Sequence, residues 1–410
     1  MQLVRTFSPS LHLPFLLLLA SLPPMHCNGQ NQPFLKTQGT SIVSSKGEKI
    51  VLRGVNFGSW LVEEMWMTPF ETKPPVGSEF VEIKDHVSLW RTVEKRFGEK
   101  KTIELRTAFR NNWITPEDFD RVKRARMNCI RVPFTCDLFE EEDGFKWLDL
   151  ALKRAKERNL YVILDMHGAY ERQSGEHHTG EAGVDKFFKS PKAIQRTAEL
   201  WAKIATRYRS HSEVAGYDLL NEPMGVGDSE TLYRVQDQLF KAIRAADSQH
   251  IIVVEDGYKG MQSLPDPEQY GWKNVVYSTH HYNFNAKSFD DQVKTVDGHV
   301  ASAEAMQKLR NVPYFVGEFQ LEPWGSPEAM ARFTKVLTQH NISWTVWTYK
   351  TGMKDGGGGM WGWHRSAKPF NALNPFIDSP EMILAKMNQL RTENLTEDEK
   401  MTKAFRGSGK

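Results

Sequence analysis

Eight short apolar segments, separated by longer segments of helical period, constrain the fold of this chain more than any other feature of its sequence. They are rich in β-branched residues and apolar along their whole length, which is typical of strands buried on both faces. They span residues 49–56, 128–134, 160–167, 214–221, 250–256, 274–281, 312–319 and 342–350. Between them, segments such as 193–208 and 231–246 place their apolar residues on one helical stripe.

This alternation predicts an α/β fold, a (β/α)8 TIM barrel in a single domain, with a long helical insertion at 70–110 between strands one and two. A doubly wound open sheet is the alternative, since periodicity alone does not exclude it. Such a sheet usually has a glycine-rich turn after its first strand. Here strand one continues into "GVNFGSWL", which has no G-x-G-x-x-G pattern, so we favour the barrel.

The two ends of the chain differ from the barrel segment in composition. Residues 1–28 have the pattern of a secretory signal peptide, because Arg5 precedes an apolar run at 13–22 that is too short to span a bilayer. We expect an N-terminal extension at 29–45, the barrel domain at 46–392 and a loose polar tail at 393–410. The mature protein is then expected to be secreted, without membrane contact after signal cleavage.

Charge and cysteine content exclude several classes of function. The net charge is only +2 and no basic block is present, so we expect no nucleic acid partner. Cys129 and Cys136 lie at the two ends of a predicted strand. Seven extended residues separate them by roughly 23 Å, which is too far for a disulfide. No Cys/His spacing indicates zinc, and we expect a monomer that needs no metal or other cofactor.

Polar side chains are found at the C-terminal ends of seven of the eight predicted strands, where a barrel places its catalytic groups. Burying so many polar groups in one pocket is costly unless they have a use. We therefore expect a catalytic site at this end of the barrel. The residues are Asn56, Arg131, Asp165, His167, Asn221, Glu222, His280, Tyr282, Glu318, Trp347 and Lys350.

Two carboxylates, Glu222 and Glu318, lie on predicted strands four and seven, on opposite sides of the ring. A facing pair of carboxyl groups is what glycoside hydrolysis requires, one as a neutral acid and the other as an ionised nucleophile. Desolvation and like-charge repulsion can keep the acid protonated. Hydrogen bonds from Arg131 and Tyr282 can keep the nucleophile charged.

An ordered set of motifs, "RGVNFGSWL", "IRVPF", "LDMHGA", "LLNEPMG", "STHHYNF", "VGEF" and "VWTYK", resembles glycoside hydrolase family 5 over residues 50–377. The resemblance implies that 46–392 is a retaining (β/α)8 catalytic domain. Glu222 would be the general acid/base and Glu318 the nucleophile that forms a glycosyl-enzyme. Substrate-binding or orienting roles would belong to Arg131, His167, Asn221, His280 and Tyr282, with Trp347 as the floor on which the sugar stacks.

Within that family, "GSWLVEEMWMTP" resembles the pattern "GGWLVLEPWITP" of exo-β-1,3-glucanases, which implies that Glu64 contacts the terminal glucose. Met65 and Ser59 depart from the pattern, as do His177 and His178 in the loop after strand three. The paired cysteines of several secreted relatives are absent as well. These departures leave the substrate open.

The leading hypothesis is therefore a retaining β-glycoside hydrolase that acts on a β-glucan polysaccharide or oligosaccharide, as an exo-β-1,3-glucanase. An endo-β-1,4-glucanase or a mannanase with an open cleft is the alternative within the same family. A catalytically inactive carbohydrate-binding barrel is the alternative from another class. Transfer of the sugar to another sugar instead of water also stays open.

Several residues near these motifs allow a simpler interpretation. Four glycines precede Trp361 and Trp363 after strand eight, and we expect a loop that holds both tryptophans as aromatic walls of the sugar site, next to Trp347. His177 and His178 are expected on a loop surface, and Glu255 in helix capping or rim contacts.

Overall fold

Eight parallel strands close into a barrel in the computed structural model, which describes residues 32–140, 144–325, 327–352, 361–366 and 370–409. The strands are β1 Leu35–Gln38, β2 Ser41–Ser44, β3 Arg53–Asn56, β4 Cys129–Thr135, β5 Tyr161–Gly168, β6 Val214–Asp218, β7 Ile251–Glu255, β8 Val275–Tyr282, β9 Tyr314–Gln320, β10 Ser343–Val346, β11 Lys350–Thr351, β12 His364–Arg365 and β13 Thr396–Glu397. The helices are α1 His86–Phe97, α2 Glu99–Trp113, α3 Pro116–Arg124, α4 Lys146–Lys156, α5 Pro191–Tyr208, α6 Ser229–Ala246, α7 Pro267–Tyr270, α8 Phe289–Arg310, α9 Pro327–Gln339, α10 Pro380–Met387 and α11 Glu399–Gly407.

The predicted TIM barrel is confirmed, and the open sheet is excluded because the last barrel strand pairs with the first. β10 pairs in parallel with β3 through Trp344 and Arg53, which completes the order β10-β3-β4-β5-β6-β7-β8-β9. Each of these eight strands overlaps one of the predicted apolar segments. The helices that follow the strands pack around the outside, as the (β/α)8 architecture requires.

The inside of the barrel changes character along its axis. Residues near the N-terminal ends of the strands form one apolar cluster, which includes Cys129, Ile163, Val253 and Phe315. The antiparallel hairpin of β1 and β2 lies within the expected N-terminal extension and adds Leu35 and Ile42 to the same cluster. Inward side chains alternate along a strand, so the inward residues further along each strand reach the carboxyl end, where the polar groups lie.

The predicted insertion between the first two barrel strands is helical from His86 onward and forms α1 and α2. Asp85 caps α1 by accepting a hydrogen bond from the backbone N–H of Ser88 at 2.7 Å. A capping box starts α3. Thr115 is the N-cap, Pro116 the first residue, and Asp118 bonds back to the cap.

The segment expected to be a loose tail is instead packed on the barrel. It contains β13 and α11, and Phe405 of α11 is 1% exposed against Trp344 and Trp363. The expectation of looseness is wrong because α11 has an apolar stripe of Met401, Ala404 and Phe405 among its charged residues.

Some of the predicted features fall outside the described residues. The expected signal segment and the four consecutive glycines lie in residues 1–31 and 353–360, which the structure does not describe. Among the described helices, none combines the length and the apolar character that crossing a membrane requires. Cys129 and Cys136 are both buried and unpaired, as predicted.

Replacing Trp363 should test how firmly the C-terminal segment is held. Trp363 is 2% exposed and donates from its indole nitrogen to Thr402 at 2.8 Å. Trp363→Ala is expected to lower the free energy of unfolding by about 3–5 kcal/mol because it leaves a large cavity. Trp324→Ala is the control, since Trp324 is 47% exposed, and a change within about 0.5 kcal/mol is expected there. Equal effects in denaturant titrations would contradict the packing role.

Candidate active site

The carboxyl ends of the barrel strands open into a cavity of about 550 Å³. Seven of the predicted site residues line it, which are Glu64, His167, Asn221, Glu222, Tyr282, Glu318 and Trp347. Arg131 and His280 contact the two catalytic candidates from within the barrel. The convergence of strand-end polar residues on one pocket, expected from the sequence, is therefore present.

Arg131 of β4 organises the floor of this cavity. Its guanidinium is fully buried and donates to Glu318 at 2.8 Å, to Asp218 at 2.9 Å and to Glu255 at 3.2 Å. It also donates to the amide oxygens of Asn56 and Asn221, and lies 3.1 Å from Asp165. Burial alone would lower the pKa of Arg131, but the surrounding carboxylates raise it well above its usual value.

Glu318, near the end of β9, is held at both carboxylate oxygens. Oε1 accepts from Arg131, and Oε2 accepts from the hydroxyl of Tyr282 at 2.8 Å. The side chain is therefore fixed in one orientation toward the cavity. Burial raises the pKa of Glu318, and the charges of His280 and Arg131 oppose this only in part.

Glu222 follows β6 in a left-handed backbone conformation, with φ of 41°. Its backbone N–H donates to Oε2 of Glu255 at 2.8 Å, which holds this uncommon conformation in place. Its Oε1 accepts from the hydroxyl of Tyr258 at 2.7 Å and from Nδ1 of His280 at 2.7 Å. Glu255, expected in capping or rim contacts, instead lies 2% exposed between Arg131 and Glu222, so that expectation is wrong.

The two candidate catalytic carboxylates are close together, with His280 between them. One carboxylate oxygen of Glu222, one of Glu318 and a ring nitrogen of His280 all lie within 4.8 Å of one another. This is the spacing of a carboxyl pair in which one group attacks the sugar directly; a pair that activates a water needs several ångströms more.

His280 carries the charge that sets the protonation of this pair. Burial would lower its pKa, but the carboxylates of Glu255, Glu318 and Glu222 raise it well above the usual value for histidine. For Glu222, burial acts in the opposite direction and would raise the pKa. The hydrogen bond from His280 and the charges of His178 and His280 lower it instead. Both pKa shifts favour the proton on the imidazole side of this 2.7 Å hydrogen bond between His280 and Glu222.

Within the described part of the chain, one group of three potential metal ligands (His, Cys, Asp or Glu side chains) has the spacing of a metal site. It consists of Glu222, His280 and Glu318. The Nδ1 atom of His280, which faces both carboxylates, donates to Glu222. A protonated ring offers no lone pair to a metal, so the geometry favours a proton over a cation at this place.

Glu64 and its neighbours form one wall of the cavity. Oε2 of Glu64 accepts from the indole of Trp66 at 2.7 Å and lies 3.1 Å from Nε2 of His177. Oε1 of Glu64 is buried without a partner, and so is Nε2 of His178, whose Nδ1 lies 3.6 Å from Glu222. Buried polar atoms are normally hydrogen-bonded, so these two are available to the hydroxyl groups of a sugar.

His177 and His178 thus line the cavity, and the expectation that they lie on a loop surface is wrong. They form a short helical turn with Thr179, whose carbonyl approaches Gly168 so closely that a Cβ there would lie 2.1 Å from the oxygen. The contact between the turn and the strand end directs both imidazoles inward. No local pattern in the sequence signals such a contact.

Aromatic rings form the floor and the mouth of the cavity. Trp347 stacks on His167 with ring centroids 5.5 Å apart and planes 3° apart. At the mouth, Trp361, Tyr282 and Phe284 have nearly parallel rings, with centroids 5.5–5.9 Å apart. Of the two predicted aromatic walls, Trp361 lines the cavity. The wall predicted at Trp363 is not present, because that side chain points into the C-terminal packing.

Sequence reasoning missed several residues that contact this site. They are Trp66, His177, His178, Asp218, Glu255, Tyr258 and Phe284. Asp218 and Glu255 end barrel strands and could have been found by applying the strand-end argument to every strand. The others lie on loops, whose paths depend on tertiary contacts.

Known proteins resemble this chain in sequence and in fold. The family described as "Cellulase (glycosyl hydrolase family 5)" matches residues 76–352. A protein named β-xylosidase from Phanerodontia chrysosporium is 28% identical over 265 residues, which are 61% of this chain and 52% of that protein. A probable glucan 1,3-β-glucosidase A from Aspergillus fumigatus is 31% identical over 288 residues, 66% of this chain and 65% of its own length. The chain therefore spans about half the length of the first relative and about two thirds of the second.

Solved structures share the barrel at low sequence identity. An endogalactoceramidase matches with a TM-score of 0.58 and 17% identity over 91% of this chain and 84% of that chain. A rutinosidase from Aspergillus niger matches with a TM-score of 0.58 and 16% identity over 73% of this chain and 90% of that chain. These likenesses support the fold alone, whereas the family match covers more than half of the sequence. The chain belongs to glycosyl hydrolase family 5.

Proposed function

We propose that this protein is a retaining β-glycoside hydrolase that removes glucose from the end of a β-glucan, as an exo-β-1,3-glucanase. The observation that carries the proposal is the placement of Glu222 and Glu318 oxygens within 4.8 Å of each other in one cavity. The names of two relatives add support for the substrate. They are the glucan 1,3-β-glucosidase A above and a glucan 1,3-β-glucosidase 1 of Schizosaccharomyces pombe, 26% identical over 64% of this chain and 66% of that protein.

In the first step, a carboxylate oxygen of Glu318 attacks the anomeric carbon of the terminal sugar. The bond from that carbon to the glycosidic oxygen breaks as Glu222 gives its proton to the departing oxygen, and a covalent ester to Glu318 remains. Arg131 and Tyr282 keep the Glu318 carboxylate oriented until the bond forms. Asn221, fixed through its oxygen by Arg131, can donate to the sugar 2-hydroxyl with its amide.

The proton for that step comes from the pair formed by His280 and Glu222. In the empty pocket it is on the imidazole, and transfer along the 2.7 Å hydrogen bond gives neutral imidazole and a protonated Glu222. Entry of a sugar displaces water from the pocket and favours this less charged arrangement.

In the second step, a water molecule replaces the departed group. Glu222, now a carboxylate, takes a proton from the water, whose oxygen attacks the same carbon from the side of Glu222. The ester bond to Glu318 breaks, and the sugar leaves with its original anomeric configuration. A sugar hydroxyl in place of water would give transglycosylation by the same chemistry.

The group of Glu64, Trp66 and His177 in the cavity wall favours exo over endo action. In this proposal the group blocks a chain of sugars from continuing past the reacting residue. The unpartnered Oε1 of Glu64 suits a hydroxyl of a terminal sugar. An endo-acting glucanase or mannanase would need a groove there. An inactive binding barrel would not need two buried carboxylates, whose desolvation is costly.

The remaining expectations follow from the same proposal. The catalytic domain comprises the barrel and the C-terminal segment that packs on it. The signal segment 1–28 precedes it, and the mature protein acts outside the cell as a monomer. The two steps use side chains alone, so no cofactor is required.

Removing the two carboxylates separately should give different kinetic defects. Glu318→Ala is expected to lower kcat by about 10⁴-fold or more on every substrate, because no ester can form. Glu222→Ala is expected to lose about 10²–10⁴-fold on glucan but far less in ester formation from an aryl glycoside with an acidic leaving group, which needs no proton. Stopped-flow measurement should then show a burst as the ester accumulates. Glu322→Ala, four residues beyond Glu318, is the control and should keep full activity. Equal losses for Glu222→Ala on both substrates would argue against its role as the acid.

The pH profile of kcat/KM should be bell-shaped. It should fall on the acid side as Glu318 takes up a proton, at a pKa that burial raises above the usual value. It should fall again on the basic side as the pair of His280 and Glu222 loses its proton, above the usual pKa of histidine. His280→Asn is expected to move the basic limb to lower pH, because Glu222 must then hold the proton alone. It should also move the acid limb to higher pH, because the charge of His280 that lowers the pKa of Glu318 is lost. His281→Asn on the same strand is the control, since the His281 ring faces His299. An unmoved basic limb in His280→Asn would exclude the shared proton.

Analysis of products from three polysaccharides tests the proposal as a whole. We expect glucose alone from laminarin from the earliest time points, and little release from cellulose oligomers or mannan. Chromatography of the products distinguishes the outcomes. A series of longer oligosaccharides at early times would contradict exo action, and faster release from mannan or cellulose would contradict the substrate.

A further inference from the structure

Glu63, the neighbour of Glu64, is a buried carboxylate that the catalytic steps do not use. It is 0% exposed. Its Oε2 accepts from Nδ1 of His86 and from the indole of Trp90 at 2.9 Å, and both donors belong to α1. Burial would raise the pKa of Glu63, but the charge and hydrogen bond of His86 lower it, so the carboxylate is ionised. The loop that carries Glu63 and Glu64 is thus bonded to the first turns of α1.

The same end of α1 also contacts a second loop of the cavity wall, the one that carries His177 and His178. Oδ2 of Asp85 accepts from the backbone N–H of Ala182 at 2.8 Å, and the N–H of Val87 donates to the carbonyl of Gly180 at 3.0 Å. Gly180 directly follows the turn that carries His177 and His178. The first turn of α1 therefore lies between the Glu64 loop and the His177 loop and is bonded to both.

We propose that Glu63, together with His86, is a positioning residue that fixes the positions of Glu64 and its partner His177 in the wall of the pocket that binds the terminal sugar. This rests on the exo-hydrolase proposed above. Glu63 and Glu64 share a peptide unit and point in opposite directions, one to α1 and the other to the cavity. A displacement of one side chain therefore moves the other. Glu63 does not touch the sugar and acts only through Glu64.

The residue type matters for this role. A leucine at position 63 would fill the space but direct no bond, whereas a carboxylate that accepts two N–H groups fixes the distance and angle of the loop relative to α1. His177 bonds to Glu64 from the second loop, which α1 also contacts. The buried Glu63 and the His177 loop are thus connected through α1.

A double-mutant cycle tests the proposal. Glu63→Leu, Glu64→Ala and the double variant are compared on laminari-oligosaccharides, with KM, kcat and the inhibition constant of glucose measured for each. Glu63→Leu is expected to lower kcat/KM about tenfold, mostly through KM, and to weaken glucose inhibition by a similar factor. In the Glu64→Ala background the same substitution is expected to cost about twofold or less, because the group on which it acts is gone. Arg91→Ala is the control, since it removes only the exposed contact of α1 with Glu181 and should leave all three constants unchanged.

Loss of the full tenfold factor in both backgrounds would overturn the proposal, because a merely structural role acts independently of Glu64. An unchanged KM in Glu63→Leu would overturn it as well. If Glu63→Leu does not fold, Glu63→Gln keeps one acceptor oxygen and should show a smaller loss, about threefold, with the same dependence on Glu64. A wild-type protein that releases no glucose from laminari-oligosaccharides would instead contradict the proposed function, and this result is distinguishable from the others.

Discussion

The rest of the site depends on the buried guanidinium of Arg131. It is bonded to Asp218, Glu255 and Glu318, lies 3.1 Å from Asp165, and has no exposed surface. Four carboxyl groups around one arginine carry more negative charge than it can neutralise, so some must hold protons. Burial raises the pKa of Asp165 to about 7, and Arg131 counteracts this only in part. Removing one partner of such a cluster leaves uncompensated buried charge, which makes the arginine indispensable to the geometry of the floor.

The barrel separates this expensive polar layer from the part that stabilises the fold. The lower interior is an apolar cluster closed by the N-terminal hairpin, and the C-terminal segment packs on the outside through Phe405 and Trp363. Stable packing on two sides allows the carboxyl ends of the strands to hold an uncommon backbone conformation at Glu222 and a dense group of charges. The loops shape the cavity above this layer. The loops of Glu64 and His177 form one wall, and the parallel rings of Tyr282, Phe284 and Trp361 border the mouth.

The fold and the close approach of Glu222 and Glu318 could be predicted because the sequence features that indicate them are local. Each strand is a short apolar run, and Glu222 and Glu318 follow from strand ends and motif context. The errors concern residues whose direction depends on contacts distant in sequence. His178 faces the cavity because its turn packs on Gly168, and Trp363 faces away because Phe405 and Thr402 lie behind it. The segment 393–410 is expected to be loose because it is polar, although a stripe of three apolar residues is enough to fix a short helix on the barrel.

The anomeric configuration of the first product tests the central claim most directly, that Glu222 and Glu318 act as a pair close enough for one of them to attack the sugar. Proton NMR during the first minutes of hydrolysis of a laminari-oligosaccharide distinguishes the two anomers of the released glucose before they interconvert. We expect the β-anomer to accumulate first, because two displacements at the same carbon restore the original configuration. The α-anomer appearing first would mean a single displacement by water, which the separation of these carboxylates does not accommodate.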